Sequence, residues 1–389
     1  MKKVLLFTAG ITLLLVAGGV WVYLFVYGAP ESTQQLFSNF GINGGEQQFE
    51  PTGETPIITD DALVVNNDAT QILRQLTLKP VAGAVFVDDA VRYVERGTGH
   101  IFDIALASGA ETNVTGSTKT GVTRALFSGR GNRVALISES PSGSEVFVGT
   151  ITKNDDGDGI LDGKAVSKNG SSVSFDTSGD SLNFIEKTGG SATGKQVNVL
   201  DGAVTTLFTL PLRDVHVLWG KETYVIPEPS ALLDGNVYML KNDILQPQRA
   251  RARGLMAFPY SSGIIYTTSV DNDLVSYAET GTNTIQQPFG IFPEKCTEFS
   301  ADAPHLLCAA PYVLPRGVFP DDWYKGAVTL EDGLWDVNIE RGEATLLADP
   351  LSDAGRVVDV EKIITNDSGP QFLLINKVDS TLWLFEPRQ

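Results

Sequence analysis

The chain has 389 residues, 42% of them hydrophobic and 20% charged, with a formal net charge of −18. That composition permits a large core and excludes global disorder. The acidity excludes a nucleic-acid binder, which needs clustered Lys and Arg, and disfavours docking of the main domain on anionic lipid. Its simplest role is solubility.

Lys2 and Lys3 precede an uncharged apolar run, Val4 to Tyr27. At about 24 residues it is long enough to span a bilayer and too long for the core of a cleaved signal peptide. Trp21, Tyr23 and Tyr27 gather at its far end, where aromatic side chains favour the interface. The next basic residue is Arg74, so the positive-inside bias predicts a cytoplasmic N-terminus and an extracytoplasmic remainder. Residues 1–27 are therefore expected to be a single-pass signal anchor in the cell membrane. Residues 28–70 are rich in Gly, Gln, Asn, Pro, Thr and acidic residues, and predict a flexible acidic spacer of roughly 35–40 Å root-mean-square reach.

From Ile72 the β signals are dense and no long helical period appears. One unit keeps returning: GHIFDIALASGAETNVT from Gly99, GKQVNVLDGAVTTLFTL from Gly194, NDLVSYAETGTNTIQQPF from Asn272 and DGLWDVNIERGEATLLAD from Asp332. A second piece precedes it: FSGRGNRVALIS from Phe127, FDTSGDSLNFIE from Phe175, FPYSSGIIYTTS from Phe258 and FSADAPHLLCAA from Phe299. Each piece is a strand, a tight turn on Gly, Asp or Ser, and a returning strand. Joined, they make four-stranded repeats of about 45 residues that must stack to bury their faces. The expected fold is an all-β, seven-bladed propeller over 71–389, with six or eight blades as alternatives. The last blade shows only three strands, so the segment 72–77 is expected to cross over and complete it, removing an open edge.

The F-[S/D]-x-x-G-x-x-[V/L] hairpins, each followed by a strand and a Gly turn, resemble bacterial TolB-like and WD40-like propellers. The likeness covers about residues 72–389 and implies fold rather than function. No blade carries the Trp-Asp ending of true WD40 repeats, so a peptide-docking face of that kind is not implied.

The strongest local motif is NDDGDGILD, 154–162. Asn154, Asp156 and Asp158 at alternate positions, the carbonyl of Ile160 and Asp162 resemble calcium loops of dockerin and thrombospondin type 3 repeats. An acidic hairpin tip is the other reading, and Ala165 at position twelve departs from an EF-hand. Calcium is the cofactor expectation. Cys296 and Cys308 flank a hairpin expected to turn near Asp302, so they face each other as a disulfide or as two buried thiols. Two cysteines and three scattered histidines do not make a four-ligand zinc site.

Arg249, Arg251 and Arg253 alternate just before a predicted inner strand. They form either an anion-binding face near the channel or ion pairs with neighbouring blades. Trp323 and Tyr324, in an insertion of the sixth blade, form either an exposed contact surface or a cap on that blade. GGSATGKQ, 189–196, lacks the Ser/Thr and the strand-to-helix setting of a phosphate-binding loop and reads as a turn. His100, His216 and His305 fall in different blades without a nucleophile elbow. Asp88/Asp89 and Asp321/Asp322 read as turn residues. No catalytic residue is predicted. The expected role is binding or scaffolding of a peptide, glycan or envelope protein by a monomer. The alternative is a propeller hydrolase or lyase with carboxylates at the channel mouth.

Overall fold

Short alternating runs set the local structure. In the Phe127 repeat, Ala125 and Phe127 end one strand, Val134 and Leu136 begin the next, and all four are buried. Between them the chain reverses at Gly131, whose φ of 68° suits glycine. Gly179, φ 76°, does the same in the following repeat. The computed structural model describes residues 72–387, apart from 142, 155, 299–303 and 367–368. The apolar segment 1–27 and the spacer 28–70 lie outside the described residues. Among the described residues no helix is long and apolar enough to cross a membrane.

Strand β1 is Leu73–Gln75. Blade 1 comprises β2 (Val81–Val87), β3 (Ala90–Glu95), β4 (Ile101–Ala105) and β5 (Glu111–Thr115). Blade 2 comprises β6 (Val122–Phe127), β7 (Arg133–Ser140), β8 (Gly143–Lys153) and β9 (Gly159–Ser167). Blade 3 comprises β10 (Gly170–Phe175), β11 (Ser181–Thr188), β12 (Ser191–Asn198) and β13 (Val204–Leu210). Blade 4 comprises β14 (Val215–Leu218), β15 (Thr223–Pro227), β16 (Asp234–Lys241) and β17 (Ile244–Arg253). Blade 5 comprises β18 (Met256–Tyr260), β19 (Gly263–Val270), β20 (Asp273–Thr280) and β21 (Asn283–Gln286). Blade 6 comprises β22 (Cys296–Glu298), β23 (His305–Pro311), β24 (Asp332–Asn338) and β25 (Glu343–Ala348). Blade 7 comprises β26 (Val360–Thr365), β27 (Phe372–Asn376) and β28 (Leu382–Phe385).

All pairings are antiparallel, and each sheet is a four-stranded meander. The fourth strand of blade 7 is β1, paired with β28 through Leu73 opposite Phe385 and Gln75 opposite Trp383. Seven blades therefore form, with the first described strand, β1, sealing the last sheet. The core is not a single central mass. Each pair of neighbouring blades shares its own apolar cluster, including Phe86, Tyr93, Leu373 and Leu384 across the seam between blades 7 and 1. Burial of these faces is what a lone blade lacks. Near the axis the inner strands crowd: a Cβ on Gly83 of β2 would stand 2.1 Å from the Ala125 carbonyl oxygen of β6.

A further cluster lies under the insertion between β23 and β24. Its helix α1 (Asp321–Tyr324) is the DDWY segment. Phe319, Trp323 and Leu330 pack there on Met256, Leu274 and Phe292.

Candidate ligand site in the central channel

The innermost strand of each blade points one row of side chains at the axis. In β14, His216 is exposed between buried Val215 and Val217. In four of the seven blades the pairing of the innermost strand slips by a bulge: at Val81/Gly83, Val122/Arg124, Ser171/Ser174 and Val360/Lys362. A bulge re-aims the residues that follow it. In blade 3 the bulge contains Ser172, a non-glycine residue at φ 48°.

The result is a cavity of about 580 Å³, walled by blades 2, 3, 4, 5 and 7. Its polar lining includes Arg124, Ser172, Ser174, His216 and Lys362. Ser172 Oγ accepts from Val217 N at 2.9 Å, which pins blade 3 to blade 4 at the wall. These side chains are open to the channel but enclosed by protein elsewhere, and the enclosure shifts the protonation of two of them, Lys362 and His216. It lowers the Lys362 pKa, the positive charge of Arg124 lowers it further, and Glu361 opposes both. It also lowers the His216 pKa, with Lys187 and Arg124 adding to the effect and Glu228 opposing it. Arg124 Nη2 stands 3.3 Å from Glu139 Oε1 in an exposed pair. Lys362 has no ion-pair partner among the described residues. An acidic chain thus gathers cations along its axis.

Next to this cavity is a smaller one of about 220 Å³, mostly apolar, sharing His216 and Leu218 and reaching Met256, Glu294 and Tyr324. Tyr324 donates its hydroxyl to Glu294 Oε1. Enclosure raises the Glu294 pKa, against the lowering effect of Tyr324, Lys295 and Lys377. α1 therefore places Tyr324 over one end of the channel.

Its neighbour Trp323 is not exposed. It is 3% accessible and donates Nε1 to Asp359 Oδ1 at 2.9 Å. It caps the blade because its ring fills the space between Phe292, 4.5 Å away, and two ammonium groups, Lys295 and Lys377. Beneath it lies a buried ion network: Lys295 Nζ sits 2.7 Å from both Asp332 Oδ2 and Asp359 Oδ1. Asp321 and Asp322 hold the insertion in place. Asp321 accepts from Ser230 Oγ and Ala231 N, and Asp322 accepts from Val318 N.

The arginine triplet is not at the channel. Arg249, Arg251 and Arg253 lie on β17, the fourth and outermost strand of blade 4. The chain needs Gly254 and Leu255 to return from that rim to β18. Two bulges in the β16–β17 ladder also break the alternation that put the three on one face. Arg253 Nε lies 4.0 Å from Asp234 Oδ1 in an exposed pair.

The 154–162 segment is the tip and return of the β8–β9 hairpin. Asn154 Oδ1 accepts from the backbone N–H groups of Asp156 (3.1 Å) and Asp158 (2.8 Å), and backbone bonds from Asn154 N to Asp158 O and Gly157 N to Asn154 O close the same turn. Ile160 and Asp162 pair with Thr152 and Thr150 in the ladder. Among the described residues no group of three or more His, Cys, Asp or Glu is placed to hold a metal. Cys296 and Cys308 are direct cross-strand partners, Cα–Cα 4.1 Å, and are joined as a disulfide. His305 Nδ1 meets Asp336 Oδ1 at 2.6 Å within blade 6, and His100 Nε2 meets Thr118 Oγ1 of the β5–β6 connection at 2.8 Å.

Sequence reasoning missed Arg124, Lys362 and Glu294 as site residues and did not single out His216. The available signal was a polar residue set among buried apolar ones in the first strand of a repeat, as in Val122-Thr123-Arg124-Ala125 and Val215-His216-Val217.

No protein-family model matches the chain, and no curated protein matches it. Solved structures do. The β-propeller domain of the Trilobed protease from Pyrococcus furiosus is 12% identical, with a TM-score of 0.51 over 79% of this chain and 96% of that one. Oligogalacturonate lyase from Vibrio parahaemolyticus is 11% identical, with a TM-score of 0.53 over 82% of this chain and 95% of that one. TolB from Acinetobacter baumannii is 13% identical, with a TM-score of 0.36 over 55% of each chain. At these identities the likeness to the first two is one of fold: the chain is a seven-bladed β-propeller. The Pyrococcus domain is described as having an open velcro topology, whereas β1 closes the ring here.

Proposed function

We propose that the chain is a membrane-anchored, extracytoplasmic propeller that works as a binding or scaffolding module for a peptide, a glycan or an envelope protein. The observation that carries this reading is the channel cavity, where polar and charged side chains from several blades converge on one space. Two features support the placement. The apolar run before residue 28 precedes a chain with no basic residue until Arg74, and the Cys296–Cys308 bridge suits an oxidising compartment. The test uses the full chain in native membranes. A membrane-impermeant amine reagent should label lysines beyond residue 72 in intact cells. Immobilised full-length protein should bind at least one class of purified envelope glycan, peptide or protein saturably and release it chemically unchanged. Labelling only after lysis refutes the placement, and absence of saturable binding refutes the role.

One observation favours a hydrolase or lyase instead. Glu294 is a carboxyl with a raised pKa at the channel end, beside His216 and in contact with Tyr324, which is a setting for a general acid. On that reading, mass spectrometry after incubation with envelope glycans or peptides shows cleaved products, and Glu294→Gln abolishes them.

A further inference from the structure

Arg124 and Lys362 come from blades 2 and 7, 238 positions apart in the chain (362 − 124), yet they face one cavity. Each follows a bulge in its inner strand, and Ser172 sits in a third such bulge with φ 48°. Three local distortions aimed at one space are a built wall rather than an accident of alternation. The charge there is only partly compensated. Lys362 has no ion-pair partner among the described residues. Arg124 has Glu139 at 3.3 Å on its exposed side, and the neighbouring Glu361 offsets Lys362 in part. Holding two cations in one enclosure costs free energy that a facing anion would return.

We propose that this cavity holds a small ligand through its carboxylate group, gripped by Arg124 and Lys362 and flanked by Ser172 and His216. The proposal rests on the binding reading above and names its ligand chemistry. The guanidinium can take a carboxylate through two parallel N–H donors, and the lysine adds a point charge from blade 7. A serine hydroxyl and an imidazole are the neutral donors that an acidic sugar or a peptide end would meet next. About 580 Å³ suits a ligand of one or two sugar or amino-acid units. The net charge of −18 works against loose anion binding, so any anion retained must be held locally.

The test is calorimetric titration of the full chain in detergent with four probes. They are glucuronate, its neutral counterpart glucose, N-acetyl-dialanine with a free carboxylate, and the same peptide as its amide. At least one carboxylate should bind, with its neutral counterpart at least about tenfold weaker. Lys362→Met and Arg124→Gln should each weaken that binding by about tenfold or more, while Lys153→Met on the exposed β8–β9 hairpin should leave it unchanged. Which carboxylate binds decides between an acidic sugar and a peptide end. In the absence of ligand, Lys362→Met should hold or raise the melting temperature, since it removes a repelled charge. Carboxylates that bind no better than their neutral counterparts, or variants that keep full affinity, overturn the proposal. A drop in melting temperature in Lys362→Met makes the lysine structural and overturns its role. Failure here alongside saturable envelope binding refutes the carboxylate chemistry and leaves the module reading standing.

Discussion

Replacing Lys295 by methionine removes the ammonium that touches two buried carboxylates. Lys295 is 0% exposed, and its Nζ lies 2.7 Å from Asp332 Oδ2 and from Asp359 Oδ1. Methionine keeps most of the volume and none of the charge. The carboxylates retain backbone donors, Val360 N to Asp332 Oδ2 and Leu330 N to Asp359 Oδ2, but no cation between them. Breaking a buried pair from one side costs about 3–5 kcal/mol. Against a typical stability of about 5–15 kcal/mol, that is a large fraction. Urea denaturation at pH 7, followed by tryptophan fluorescence, should therefore show a midpoint lower by about 1–2 M. Burial already raises the Asp332 pKa, and the loss of Lys295 removes the main lowering influence. A carboxyl whose folded pKa is raised contributes stability that is present below its unfolded pKa of about 3.9 and lost as pH rises through the folded value. The deficit of Lys295→Met relative to wild type should therefore shrink as pH falls from 8 towards 5. Adding Asp332→Asn and Asp359→Asn should recover at least about half of the loss. A single variant that costs under about 1 kcal/mol, or a triple variant no better than the single, refutes the reasoning.

Three further perturbations test other parts of the molecule. Reducing the Cys296–Cys308 bridge, or replacing both cysteines by alanine, should cost about 3 kcal/mol for so short a closed loop and should lower the melting temperature in the presence of dithiothreitol. Gly83→Ala drives a methyl group into the Ala125 carbonyl, so the inner strands of blades 1 and 2 must part; a loss of about 1–3 kcal/mol or more in chemical denaturation is expected. Calcium at the 154–162 turn is a proposal with a direct readout. Terbium luminescence should saturate near the 10⁻⁴–10⁻³ M range of extracellular sites and vanish in the Asp156→Ala/Asp158→Ala variant; unchanged luminescence there discards the site.

The fold was legible because each repeat advertises itself locally. A Phe closes the inner strand, a Gly such as Gly131 or Gly179 turns the chain, and Val or Leu alternation marks the return. The site was not, because nothing local joins Arg124 to Lys362. Their meeting is created by ring closure, and their aim by bulges that period-two alternation does not reveal. The same blindness left Arg249, Arg251 and Arg253 open between a channel face and ion pairs: three alternating cations form a conspicuous pattern, and strand order puts them on the outermost strand of blade 4. Trp323 stayed open between surface aromatic and blade cap because its partner Asp359 stands far away in sequence.

The seam between β1 and β28 also has a temporal side. Thr77 accepts a hydrogen bond from Leu382 across 305 residues. During synthesis the first strand leaves the ribosome with its partner still unmade, and its unpaired edge must wait for nearly the whole domain to follow. Closure of so long a loop is slow, and the waiting edge is the segment most open to wrong partners. Assembly of this ring therefore waits for β28, and a chain stalled shortly before residue 382 remains an unlocked ring.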